Sequence, residues 1–253
     1  MRTPRTTGTR TSKRGQYGGS QRSRKASSLF GRKCAFVLIG NPKHESALPK
    51  QKATARCRET GGRKMDLLDQ AIIFAVEAHG GALRKGSSTP YILHPMEAAA
   101  IVGTMTSDRE ILAAAVLHDV VEDTGHTAAE IRARFGLRVA ELVAAESENK
   151  REELPAGDTW KLRKQETLEH LQNTSDAAVK MITLGDKLSN IRAISRDYAA
   201  LGDALWQRFN QKDKAEHAWY YASVARCLEE LRVYPAWQEY DRLVRSVFGG
   251  ENA

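Results

Sequence analysis

Between Leu117 and Thr124 the chain reads LHDVVEDT, one histidine and three carboxylates in close succession. Placed on a helix at about 100° per residue, His118, Asp119, Glu122 and Asp123 share one side, within about 140° of arc. The preceding residues, ILAAAVL, are the least polar stretch of the folded part, so this side points toward core rather than solvent. No Lys or Arg is interspersed to relieve the repulsion. Carboxylates drawn together and partly out of water are costly unless a cation sits among them, and a divalent metal ion is the simplest occupant. Such an ion lowers the pKa of bound water and screens charge on an attacked phosphorus, which makes hydrolysis the natural chemistry.

One ion needs more donors than His118 and Asp119. PYILHPMEA supplies His94, followed by Pro95, which suits a first helical turn. KMITLGDKLSNIRAI supplies Asp186 and, one turn later, Asn190. On that helix Leu184, Leu188 and Ile191 form a core stripe. Asp186 and Asn190 fall on a second side shared with Val179, Ile182 and Ala193, where a ligand belongs and a solvated aspartate does not. Arg84 and Lys85, in GALRKGSS, read either as a solvated loop pair or as a phosphate grip; the glycine spacing is not that of a P-loop. His79 and His126 read as structural or exposed.

The elements that must position these groups are helical. MDLLDQAIIFAVEAHGG repeats apolar residues at three and four and stops at a glycine pair. Capping boxes are expected at Ser107 with Glu110, before ILAAAVLHD, and at Thr127 with Glu130, before IRARFG. Further helices are expected near 94–105, 137–147, 159–173, 177–196, 212–232 and 236–247. No stretch alternates with period two, and residues 65–250 read as one all-α helical bundle. Trp206, Phe209, Trp219, Tyr220 and Tyr221 read as core, with one of them available to line a base pocket.

The 253 residues carry a net charge of +8, a value that suggests nucleic acid until it is divided. Residues 1–64 hold 17 Lys and Arg against 2 acids, leaving 22 of the 39 basic and 29 of the 31 acidic side chains for the remainder, a balance of −7. This Arg/Ser/Thr/Gly-rich leader reads as disordered. A targeting segment, a nucleic-acid-binding tail and a start placed upstream of Met65 all fit it. Its apolar patch, CAFVLIG, is too short to span a bilayer, so neither a membrane nor nucleic acid is expected as partner of the folded part. Cys34, Cys57 and Cys227 show no CxxC spacing, which fits a reducing, cytoplasmic setting and argues against a thiolate zinc site.

HP at 94–95, HDVVEDT at 118–124 and GDKLSN at 185–190, in that order, resemble the HD-domain phosphohydrolases. More narrowly, ALRKGSSTPYILHP resembles the hydrolase domain of the RelA/SpoT homologues and the stand-alone small alarmone hydrolases, over roughly residues 66–232. The resemblance implies an HD-type helical domain in which His94, His118, Asp119 and Asp186 hold one divalent ion, typically Mn²⁺, with Fe²⁺, Co²⁺ and Zn²⁺ as alternatives. It implies that Glu122 and Asp123 position and deprotonate the attacking water. Arg84 and Lys85 would hold substrate phosphates, and Asn190 would touch the substrate or support the ligands.

The implied reaction removes the 3′-diphosphate of guanosine tetra- or pentaphosphate as pyrophosphate. The small-molecule partner is thus a nucleotide. No second catalytic domain follows in the sequence, so a hydrolase without synthetase activity is expected. The loop EELPAGDT is less typical of the family and leaves substrate preference open. The other readings are a phosphatase acting on NADPH or a nucleoside monophosphate through the same ion, and a catalytically silent nucleotide-binding regulatory domain.

Overall fold

The computed structural model of the chain describes residues 65–151 and 153–249. The leader at 1–64, with its apolar patch, Cys34 and Cys57, lies outside the described residues. Ten α-helices follow one another: α1 (Leu67–Ala78), α2 (Leu93–Val102), α3 (Arg109–Leu117), α4 (Val120–Asp123), α5 (Ala128–Phe135), α6 (Leu137–Glu146), α7 (Ala156–Asn173), α8 (Ala177–Leu201), α9 (Lys214–Cys227) and α10 (Pro235–Phe248). Among the described residues no strand forms. A lone antiparallel bridge between Leu83 and Pro90 closes the α1–α2 loop that carries Arg84 and Lys85. The all-α reading holds. No helix among the described residues is long and apolar enough to cross a membrane.

Several boundaries differ from the sequence expectation for identifiable reasons. The cap of α3 is Asp108, not Ser107: its carboxylate accepts the Glu110 N–H at 2.8 Å. Thr127 and Glu130 do form the expected reciprocal box. The helix expected to carry LHDVVEDT without a break stops at Leu117, turns at His118 and Asp119, and resumes as the single turn α4. The helix expected to run through 232 ends at Cys227 and tightens into a 3₁₀ turn, Glu229–Leu231, which lets Leu228 and Leu231 both face the core from positions three apart. The 3₁₀ segment Gly202–Arg208 carries no periodic signal in the sequence.

Two apolar clusters fill the bundle. One gathers α1, α3, α5 and α6; the other gathers α7, α9 and α10 around Trp206, Tyr220, Tyr221 and Tyr240. Helix α8 belongs to both. Ala178, Val179 and Ile182 enter the first cluster and Leu184, Leu188 and Ile191 the second, which is the two-sided pattern expected from its sequence. Helix α3 is buried on every side, from Leu112 at 8% exposure to Leu117 at 0%. Its C-terminal end therefore has nowhere to go but the interior, beside the middle of α8.

Helix α2 lies against α8 so closely that only glycine fits at the crossing. A Cβ on Gly185 would sit 2.7 Å from Val102 Cγ2 and 2.8 Å from the Ala98 carbonyl oxygen. Alanine would gain about 1 kcal/mol in helix propensity, but the carbonyl is backbone and cannot swing aside, and overpacking costs about 1–3 kcal/mol. Gly185→Ala should therefore fail to realise its propensity gain and lower the unfolding free energy by up to about 2 kcal/mol in urea denaturation. A variant about 1 kcal/mol more stable than the parent, the full propensity gain, would contradict this packing.

Candidate active site

Four side chains expected to meet do so. His94 enters from the first turn of α2, His118 from the end of α3, Asp119 from the turn that follows, and Asp186 from mid-α8. His94 Nε2 is 3.4 Å from Asp119 Oδ2 and 3.1 Å from Asp186 Oδ1; His118 Nε2 is 3.1 and 3.7 Å from the same two atoms. Donors sharing an ion at about 2.1 Å stand about 3.0–3.4 Å apart; three of these spacings fall in that range, and the fourth, His118 to Asp186 at 3.7 Å, is slightly wider. His94, His118 and Asp186 each offer an atom within 4.8 Å of the others; Asp119, close to both rings, falls outside that mutually close group.

The partners on the far side of each ring fix its tautomer. His118 Nδ1 is 2.8 Å from the Ala115 carbonyl oxygen, which only accepts, so Nδ1 carries the proton. His94 Nδ1 is 2.9 Å from Ser189 Oγ, whose own proton goes to Glu97 at 2.8 Å, so His94 Nδ1 must donate as well. Both Nε2 lone pairs are thereby turned toward two carboxylate oxygens. His118 Nε2 is fully buried with no hydrogen-bond partner. A divalent cation answers both the repulsion and the orphaned nitrogen, and the donor set fits one.

Glu122 and Asp123 stand beyond Asp119 on α4. Tyr91 Oη shares its proton between Asp119 Oδ2 at 2.6 Å and Asp123 Oδ2 at 2.8 Å, binding the two carboxylates into one unit. Glu122 Oε2 accepts the Glu148 N–H at 3.2 Å. The absence of local Lys or Arg is made good by distant ones: Lys150 Nζ donates to Asp123 at 2.6 Å, and Lys187 Nζ to Asp186 Oδ2 at 2.5 Å. Both hold outer oxygens. Asp186 Oδ1, which faces the rings, also accepts from Asn190 at 2.5 Å, and Asn190 Oδ1 in turn accepts from Arg84 at 2.7 Å.

The electrostatics follow from this packing. Burial works against a charge on His118, but Asp119 and Asp186 outweigh it and raise the imidazole well above its ordinary value. Burial likewise opposes ionisation of Asp119, which His118 and His94 overcome, and of Asp186, which Lys187 and the rings overcome; both fall well below the usual carboxylate range. Without a metal the cluster thus recruits a proton in its place, and metal and proton compete. Glu122 moves the other way: burial, then Asp119 and Glu148, raise its pKa. Glu146, at the end of α6, is raised by burial to about 7 while accepting from Thr183 Oγ1 at 2.7 Å.

Two cavities meet here. A smaller one, about 180 Å³, contains the four donors with Glu122 and Asp123; a larger one, about 420 Å³, is lined by Lys85, Phe209, Tyr221 and Arg196. Arg84, Tyr91, His94 and Asn190 form the wall between them. Lys85 reaches only the larger one and bonds Asn210 at 2.7 Å. Tyr91, Lys150, Lys187, Ser189 and Glu146 were not singled out from the sequence. Tyr91 and Ser189 lie inside motifs that were, three residues from a ligand histidine and aspartate respectively; Lys150 and Glu146 carried no signal. His79 is buried beside Tyr91, with ring centroids 4.9 Å apart, and His126 packs on Phe74, so both read as structural.

The family described as the HD domain matches residues 71–214. The chain is 37% identical over 134 residues to a zebrafish (Danio rerio) protein named guanosine-3′,5′-bis(diphosphate) 3′-pyrophosphohydrolase MESH1, covering 51% of this chain and 70% of that protein. It is 34% identical over 128 residues to GTP pyrophosphokinase rsh of Brucella ovis, covering 51% of this chain but 17% of that protein's length. The crystal structure of lmo0812 from Listeria monocytogenes superposes with a TM-score of 0.54 at 34% identity, covering 64% of this chain and 97% of that one.

Glu146 makes the metal-free domain sensitive to pH. Its folded pKa of about 7 lies above the ordinary 4.5, so its burial is harmless below 4.5, where it is protonated in both states, and stability is lost progressively as pH rises from there to about 7, then levels off. Glu146→Gln, neutral throughout and still able to accept from Thr183, should be about 1–2 kcal/mol more stable than the parent above about pH 8 and equal to it near the ordinary carboxyl pKa. Thermal unfolding of both proteins across that range gives the answer; a constant difference would contradict the assignment.

Proposed function

The chain belongs to the HD-domain family, and from that premise we propose that it hydrolyses guanosine tetra- or pentaphosphate, releasing pyrophosphate and GDP or GTP. One observation carries the reading: donors from three separate segments face a common centre, with the half-buried Glu122 and the more exposed Asp123 on one side and an Arg84–Asn190 wall opening to a nucleotide-sized cavity on the other. The Danio rerio relative is named for this activity.

His94, His118, Asp119 and Asp186 would hold one divalent ion; the family resemblance favours Mn²⁺, and two imidazoles and two carboxylates with open positions also accept Fe²⁺, Co²⁺ or Zn²⁺. Bound there, the ion supplies an acidified water and charge screening at phosphorus. Glu122 accepts the proton from the attacking water, and its raised pKa suits that task. Asp123, held by Tyr91 and Lys150, orients the same water. Water adds to the phosphorus on the ribose 3′-oxygen, the bond to that oxygen breaks, and pyrophosphate departs. Arg84 grips phosphate through paired donors and Lys85 acts as a point charge, offsetting the net −7 of the chain beyond residue 64, which repels a polyphosphate. The nucleoside occupies the larger cavity, against Phe209 and Tyr221. A cytoplasmic setting belongs to the same reading, on the sparse cysteines.

The test is to load the purified chain with Mn²⁺ and assay guanosine tetraphosphate, NADPH and nucleoside monophosphates side by side. Pyrophosphate from the first is expected. Orthophosphate from NADPH or a monophosphate alone would assign a different phosphatase, and no turnover of any would assign a silent binding domain. Asp119→Asn should lose both ion and activity, whereas Glu122→Gln should keep the ion and lose about 10²–10⁴-fold in kcat. Loss of the ion from Glu122→Gln would overturn the division of roles. Arg84→Ala should act mainly on KM, a shift read from the same assay.

A further inference from the structure

The hydrogen bonds behind His94 do not stop at one neighbour. Ser189 lies one turn before Ala193 on α8, is 2% exposed, and stands between the His94 ring and Glu97 of α2. Glu97 Oε1 then accepts from Arg192 Nη1 at 3.1 Å, and Arg192 is held by Glu239 of α10 through Nε at 2.7 Å and Nη2 at 2.6 Å. Each member has one direction open to it. Glu239 and Glu97 accept, Arg192 only donates, and the single Ser189 proton is committed to Glu97, so the Ser189 oxygen is left as an acceptor for His94 Nδ1–H.

We infer that Ser189, backed by Glu97, is the positioning residue that sets the His94 tautomer and ring orientation, and that Arg192 and Glu239 tie this relay to α10. It rests on the metal reading above in one respect: His94 must offer Nε2 as a ligand. The chemistry supports a distinct role for the relay. An imidazole with a free choice would place its proton on either nitrogen, and the Nε2–H part of that population would point N–H at the ion. A carboxylate behind the hydroxyl removes the choice and makes the ring a better donor, and such outer partners are worth about 10–100-fold in metal affinity. Helix α2 contributes His94 and Glu97, and α8 contributes Asp186 with Ser189 and Arg192, so the same contact that brings His94 to Asp186 brings Glu97 to Ser189.

The experiment compares the full chain with Ser189→Ala, Ser189→Thr and Glu97→Gln by two readouts. The first is the ¹⁵N resonance pattern of the His94 ring in the metal-free protein at mildly alkaline pH, which reports the tautomer whether or not an ion ever binds. The second is Co²⁺ affinity, followed by the visible absorption of the bound ion. The parent should show His94 Nδ1 protonated throughout, whether or not Nε2 also carries a proton facing the metal-free carboxylates. Ser189→Ala should show Nδ1 protonated in only part of the population and bind Co²⁺ about 10–100-fold more weakly, Ser189→Thr should restore both, and Glu97→Gln should weaken affinity with melting temperature unchanged. Nδ1 protonated throughout with parental affinity in Ser189→Ala would overturn the relay. A parent that shows the protonated Nδ1 but binds no Co²⁺ would leave the relay standing and overturn the metal reading instead.

Discussion

The geometry of this molecule hangs on how near α2 can come to α8. His94 rides on the first and Asp186 on the second, 92 positions away along the sequence, and the crossing beside Gly185 decides whether they meet. The two helices touch through Ala98 and Val102 on one side and an absent Cβ on the other. Helix α3, buried all round, then delivers His118 and Asp119 to the same point. Because protein interiors pack without slack, a fraction of an ångström at this crossing is transmitted to the ligand spacings rather than absorbed.

Charge is handled in layers around that point. The inner atoms, two imidazole nitrogens and two carboxylate oxygens, are mutually repulsive and call for a cation. Asn190 and the Tyr91 hydroxyl donate to the ring-facing oxygens themselves, Asp186 Oδ1 and Asp119 Oδ2, whereas Lys187 holds the outer oxygen of Asp186. This is why the cationic residues do not neutralise the cluster. They fix which oxygen points inward, and Lys150 does the same for Asp123.

Much of this was legible in the sequence because local chemistry and periodicity agreed. Helix α8 shows its two apolar faces in its spacing, and Asp186 stood out as an acid on one of them. Four ordered motifs carried the family resemblance, and the fold and ligand cluster followed from it. What could not be read was long-range. Lys150 reaches the site through tertiary packing, and nothing around it marks it as more than a surface charge; Lys187 is the sequence neighbour of the Asp186 it holds, and only the fold shows that it turns inward. Ser189 looks like an ordinary helical serine until Glu97 is placed behind it. The break at His118 was hidden because both sides of it are helical, and the cap moved from Ser107 to Asp108 because the two neighbours are equally good cap formers until backbone angles choose between them.

The shared wall between the two chambers separates recognition from chemistry. Arg84, Tyr91, His94 and Asn190 belong to both, while the lining beyond them, Phe209, Tyr221, Arg196 and Lys85, touches none of the ion-binding atoms. Substitutions in that antechamber can therefore change what it admits while the two imidazoles and two carboxylates at the inner end keep their places.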